Sequence, residues 1–176
     1  MKSIEIIGKH NKDKINKSKD NNFIAERNSM INIQDIYFNH TNQINIINSI
    51  YLSINNNLDN NNINKIILKE IDKKILSYKN QDIVKNKYNN NNISSEQVIE
   101  KLVASKLKCF YCKNKTYILY KKVRDMEQWS LDRIDNSIPH TNDNVIISCL
   151  KCNLQRRCQN KDNFLFTKQL KIEKSL

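Results

Sequence analysis

Cys109-Phe110-Tyr111-Cys112 is answered by Cys149-Leu150-Lys151-Cys152 across a loop that carries Asp132-Arg133-Ile134-Asp135-Asn136. Two intervening residues let both thiolates of a Cys-x-x-Cys pair face one ion on a tight turn, and two pairs complete a tetrahedron of soft ligands. The spacing therefore predicts a structural Zn2+ site formed by Cys109, Cys112, Cys149 and Cys152. Four buried cysteines with no metal would not need the same spacing twice. The fifth cysteine, Cys158, is left over and is expected as a partly buried thiol on a helix that follows the second pair.

Further polar residues stand between and after the pairs. Asp132-Arg133-Ile134-Asp135-Asn136, Pro139-His140-Thr141, Asn144-Val145-Ile146-Ile147-Ser148-Cys149 and Cys152-Asn153-Leu154-Gln155-Arg156 succeed one another in an order that resembles the HNH nuclease family. In the zinc-bearing branch of that family a β-hairpin followed by a helix carries the chemistry, and two Cys-x-x-Cys pairs clamp the hairpin. The resemblance spans residues 93–176 and implies a treble-clef, ββα-metal fold and a metal-dependent endonuclease acting on nucleic acid, DNA foremost.

By that resemblance Asp132 and Asn153 hold a catalytic Mg2+ or Mn2+, hard ligands for a hard ion distinct from the thiolate-bound zinc. Asn144 corresponds to the family's central Asn, which braces the hairpin loop. Arg133 departs from the pattern, because the family usually carries a histidine there as general base. A guanidinium whose pKa stays above about 12 cannot take a proton, so its expected role is phosphate contact. His140 is the one histidine of three inside this segment. With an ordinary pKa of about 6.5 it is the candidate base, the plainer alternative being a surface histidine in a turn. Asp135 is open to orienting Arg133, to acting as a second acidic ligand or to pairing with a neighbouring lysine. Lys151, Arg156 and Arg157 place positive charge on the helix after the second cysteine pair, which in the family approaches the nucleic-acid backbone.

Elements that must hold these residues can be read outward from them. Ser94 and Gln97 are spaced as a capping box, and Val98, Ile99, Leu102, Val103 and Leu107 make one apolar face leading into Cys109. Tyr117-Ile118-Leu119-Tyr120 has the character of a short strand, and Trp129 is expected to pack over the hairpin. Upstream, Ile44, Ile46, Ile47, Ile50, Tyr51 and Ile54 suit an amphipathic helix within 31–54, and Ile63, Ile67, Ile71 and Ile75 a second one from Ile63 to Tyr78. The expectation for these two is a scaffolding helix hairpin, separated by an Asn-rich gap and followed by the linker Asn89 to Asn92. Residues 1 to 30 show no sustained period and read as disordered.

The whole is α+β: residues 1–92 as a low-complexity Asn/Ile/Lys-rich part, partly helical and partly disordered, and 93–176 as the zinc-stabilised domain. A net charge of +12 and a pI near 9.5 point to a polyanionic partner. Nucleic acid suits better than a membrane, since no apolar run approaches the roughly 20 residues that a span requires. No secretory signal is legible, so an intracellular, reducing location is expected, where cysteines serve metals. Two rival readings share the zinc: a non-catalytic module that binds DNA or RNA, favoured by the missing base, and a protein-interaction domain.

Overall fold

A computed structural model describes residues 25–56 and 62–170 of the chain. The architecture is mixed helix and strand, with five α-helices and one two-stranded antiparallel sheet among the described residues. In chain order the elements are α1 (His40–Asn56), α2 (Asn62–Val84), α3 (Ser95–Ala104), β1 (Trp129–Arg133), β2 (Val145–Cys149), α4 (Leu150–Arg156) and α5 (Lys161–Gln169). No helix among them is long and apolar enough to cross a membrane.

Helix periodicity is used as the apolar spacing suggests. Ile47 and Ile50 of α1 and Ile67 and Ile71 of α2 are fully enclosed and meet Val98, Ile99 and Leu102 of α3. The same core contains Trp129 and Leu131 of β1 with Val145 and Ile147 of β2, so residues on both sides of position 92 share one interior. α1 begins at His40, later than the apolar return at Ile31, because two 3-10 turns (Asn28–Met30 and Asp35–Phe38) occupy the approach. Most of the stretch expected to be disordered lies outside the described residues. Its end does not behave as a tail: Met30 is in the core and Arg27 Nη2 pairs with Glu70 Oε2 at 2.5 Å.

The α3 start forms both capping-box bonds, Gln97 N donating to Ser94 Oγ at 3.3 Å and Ser94 N to Gln97 Oε1 at 3.0 Å. Tyr117 to Tyr120 is not a strand. Tyr117 pairs with Gln128 in an isolated bridge, but the pairing stops there, and at the buried Ile118 and Leu119 Gln43 of α1 takes the partner's place. Its Oε1 accepts from Ile118 N and Leu119 N at 2.8 and 3.1 Å, while its Nε2 donates to the Leu119 carbonyl at 2.9 Å. One amide side chain thus replaces a rung of a ladder and meets the backbone's need for partners.

The hairpin is covered on both faces, which is why four of the five β1 residues are buried without alternation. Trp129, Leu131 and Arg133 point one way, toward the helical core and α2. Ser130 and Asp132 point the other, toward α4 and Tyr111. Register pairs Trp129 with Cys149, Leu131 with Ile147 and Arg133 with Val145. Adjacent residues Asp132 and Arg133 thereby take different partners, Arg156 and Tyr111 for the first and Asp82 for the second.

Candidate functional site

The four cysteines of the two pairs converge, with their Sγ atoms all within 4.8 Å of one another. A tetrahedral thiolate ion with bonds of about 2.3 Å has ligand-to-ligand edges of about 3.8 Å. Cys112 Sγ and Cys149 Sγ stand 3.9 Å apart, so the donor set fits a metal such as zinc. Local backbone produces this. Lys113 adopts φ 59° and returns its N–H to the Cys109 carbonyl at 3.0 Å, closing the first turn. Cys149 caps α4, accepting at Sγ from Cys152 N at 3.4 Å. Hydrogen bonds from Cys149 and Cys152 draw the Cys109 pKa down, while the bond to Cys109 pushes Cys149 up to about 12 and bonds to Cys109 and Cys149 raise Cys152. Phe110 N bonds the Ile147 carbonyl at 2.9 Å, seating the first pair against β2.

Asp132 lies on the same face and is 4% exposed. Its Oδ1 accepts from Arg156 Nη1 at 2.7 Å and its Oδ2 from the Tyr111 hydroxyl at 2.6 Å. Burial raises the Asp132 pKa against those two bonds, and burial, followed by the bond to Asp132, raises Tyr111 as well. Arg156 does not lie on a phosphate-facing surface, contrary to the expectation from its sequence position. It is 1% exposed and also donates to the carbonyls of Arg133 (2.7 Å) and Ile134 (2.8 Å), because α4 docks that side of its helix onto the hairpin. The Mg2+ or Mn2+ expected at Asp132 meets the same obstacle: as folded, the carboxylate is already compensated by a guanidinium and does not fit as an open ligand for a hard ion. Among the described residues the four cysteines are the single group of three or more His, Cys, Asp or Glu side chains that could hold an ion.

Asn153 donates through Nδ2 to Ser130 Oγ at 3.2 Å and the Leu131 carbonyl at 3.1 Å, an arrangement that turns its Oδ1 away from the strand. Asn144 closes the loop between β1 and β2. Its Nδ2 donates to the carbonyls of Asp135 (2.9 Å) and Pro139 (3.0 Å), and its Oδ1 accepts from Asp135 N at 2.9 Å. Asp135 itself is exposed, where the Ser137 hydroxyl and N–H hold its carboxyl below the usual range.

His140 is not a surface residue. It is 4% exposed, its ring lies 4.7 Å from that of Tyr78 at 34°, and its Nδ1 sits 2.9 Å from both carboxylate oxygens of Asp82. Asp82 belongs to α2 and is fully enclosed. It also receives His140 N at 2.8 Å, Asn92 Nδ2 at 3.0 Å and, more distantly, Arg133 Nη1 at 3.5 Å. With donors converging on it, the carboxylate must be the acceptor, so Nδ1 carries the ring hydrogen and Nε2 keeps the lone pair. Burial lowers the His140 pKa below its ordinary value, with Asp82 pulling the other way. No sequence signal singled out Asp82, an acidic residue in a helix crowded with Lys and Asn.

These residues open onto one cavity of about 620 Å³ between the end of α2, β1 and the end of α4. His140, Asp132, Arg133 and Asn153 line it, together with the cations Lys85, Lys87 and Arg157. Lys151 is exposed on α4 outside it. Cys158, expected to be partly buried, is exposed at the cavity's margin beyond the end of α4. No protein-family model, curated protein or solved structure matches this chain.

Proposed function

We propose that this protein is a nuclease of HNH type, a ββα-metal module of treble-clef form whose four cysteines hold zinc, and that it hydrolyses phosphodiester bonds in nucleic acid, DNA foremost. The observation that carries the reading is His140, its Nδ1 held by the Asp82 carboxylate, lining a cavity whose other walls supply Arg133, Asn153 and three further cations. A phosphodiester in that cavity meets Arg133, Lys85, Lys87 and Arg157, whose charges offset the charge that develops on the phosphoryl oxygens in the transition state. Water beside Nε2 loses a proton to the ring as its oxygen bonds to phosphorus. The bond to the leaving sugar oxygen breaks, and that oxygen takes a proton from solvent. In this reading Asn153, anchored through Nδ2, accepts from the attacking water at Oδ1. Asp132 with Arg156 acts beneath this arrangement, holding α4 to β1.

One observation favours a second reading. The Asp132 carboxylate, the family's metal ligand by resemblance, is enclosed and engaged, as suits a zinc module that binds DNA or RNA without cutting it. Nicking of supercoiled plasmid by the purified protein, with and without Mg2+ or Mn2+, separates the two when run beside His140→Ala and Asn153→Ala. Cleavage that both substitutions suppress supports the nuclease. Salt-sensitive retention of nucleic acid with no nicking under any of these conditions supports the binding module.

A further inference from the structure

We infer that Asp82, on a helix outside the segment that resembles HNH nucleases, is a positioning residue that selects the reactive tautomer of His140 and holds its ring toward the cavity. The inference rests on the assignment of His140 as base. Its ground is the junction where α2 ends. Tyr78 and Asp82 are one helical turn apart and so lie on the same face of α2. The first lies against the His140 ring and the second grips its Nδ1. The grip is doubled, since His140 N bonds the same carboxylate at 2.8 Å, fixing backbone and ring together. Past the helix, Lys87 N and Tyr88 N fold back onto the Asp82 carbonyl at 2.8 and 3.2 Å, and Ile93 N bonds the His140 carbonyl at 2.8 Å. The chain is thus closed around the contact from both sides.

A ring so held has one orientation and one tautomer, with Nδ1–H on Asp82 and the lone pair of Nε2 available. The groups facing His140 are Asp82 and Tyr78 of α2, Lys85 just beyond it and Arg133 of β1. Arg133 and Lys85 oppose a second positive charge beside them. Asp82 is the anion that stabilises the imidazolium formed when Nε2 takes a proton, so a helix from the Asn-rich half completes the site.

The test uses the full chain and its Asp82→Asn variant, which keeps shape and an acceptor for Nδ1–H while removing the charge. In the unsubstituted protein, 15N NMR of the His140 ring should show Nδ1 protonated and Nε2 bare; a dominant Nε2–H tautomer would overturn the inference whatever the variant does. In Asp82→Asn the His140 titration and the acid limb of kcat/KM should both move to lower pH. There kcat should fall by about 10²-fold or more with KM little changed. An unmoved titration and acid limb in a folded variant would also overturn it. If His140→Ala cleaves as well as the parent, the base assignment fails instead, and the NMR titration still decides whether Asp82 grips the ring.

Discussion

Arg156 Nη1 lies 2.7 Å from Asp132 Oδ1, and neither side chain reaches solvent to any useful extent. Removing one member of a buried pair leaves an uncompensated charge, which costs about 3–5 kcal/mol. Arg156→Met and Asp132→Ala should each lower the unfolding free energy measured in urea to that extent, and the joint change Asp132→Leu with Arg156→Met should cost less than the sum of its parts. Single changes that cost under about 1 kcal/mol would show that the pair does not hold α4 on the hairpin. Loss of nicking in Asp132→Ala therefore reports on the fold as much as on chemistry.

The cysteine cluster should bind one zinc ion per chain, measurable by release on thiol modification. Cys149→Ser should reduce that content and loosen the hairpin, because Cys149 faces Trp129 across the β1–β2 register. Trp129 is the sole tryptophan, so its fluorescence should shift to the red on exposure to a chelator and recover with added zinc. An unchanged spectrum after complete metal removal would contradict the structural role of the ion.

Gln43→Leu should orphan two buried N–H groups and one carbonyl at Ile118 and Leu119. Each unmet buried group costs about 1–3 kcal/mol, so a loss of at least about 3 kcal/mol is expected in thermal or urea denaturation. A loss near that of an exposed polar residue would mean that the Ile118 segment finds other partners.

Lys74 of α2 packs its amine over the rings of Trp129 (4.8 Å) and Tyr120 (5.3 Å) and donates to the Trp129 carbonyl. Burial first, then the charge of Arg27, lowers its pKa from 10.5 to about 7. Between pH 7 and 10.5 the unfolded chain therefore binds more protons at this lysine than the folded one, and stability should rise with pH through that window. Below pH 7 the charged amine is held at a cost in the fold. Lys74→Met should flatten the slope and raise stability most on the acid side of the window. Denaturant midpoints at pH 6 and pH 10 for both proteins check this, and parallel profiles would refute it.

What the amino-acid sequence by itself determined was local. Repeated Cys-x-x-Cys spacing announced four converging thiols, Ser94 and Gln97 announced a helix start, and isoleucines three and four apart announced the buried faces of α1 and α2. Such signals join residues within a turn or two, where chain geometry leaves few alternatives. Tertiary structure alone decided which polar groups face one another. Tyr117 to Tyr120 has strand character, yet Ile118 and Leu119 within it take their hydrogen bonds from a glutamine 75 and 76 residues away. Arg156 has the composition of a phosphate contact, yet docking of α4 turns it inward to Asp132. His140 meets Asp82 across 58 residues because α2 docks beside the hairpin loop. A buried polar group must find a partner wherever packing brings one, and no periodicity in the chain encodes that choice.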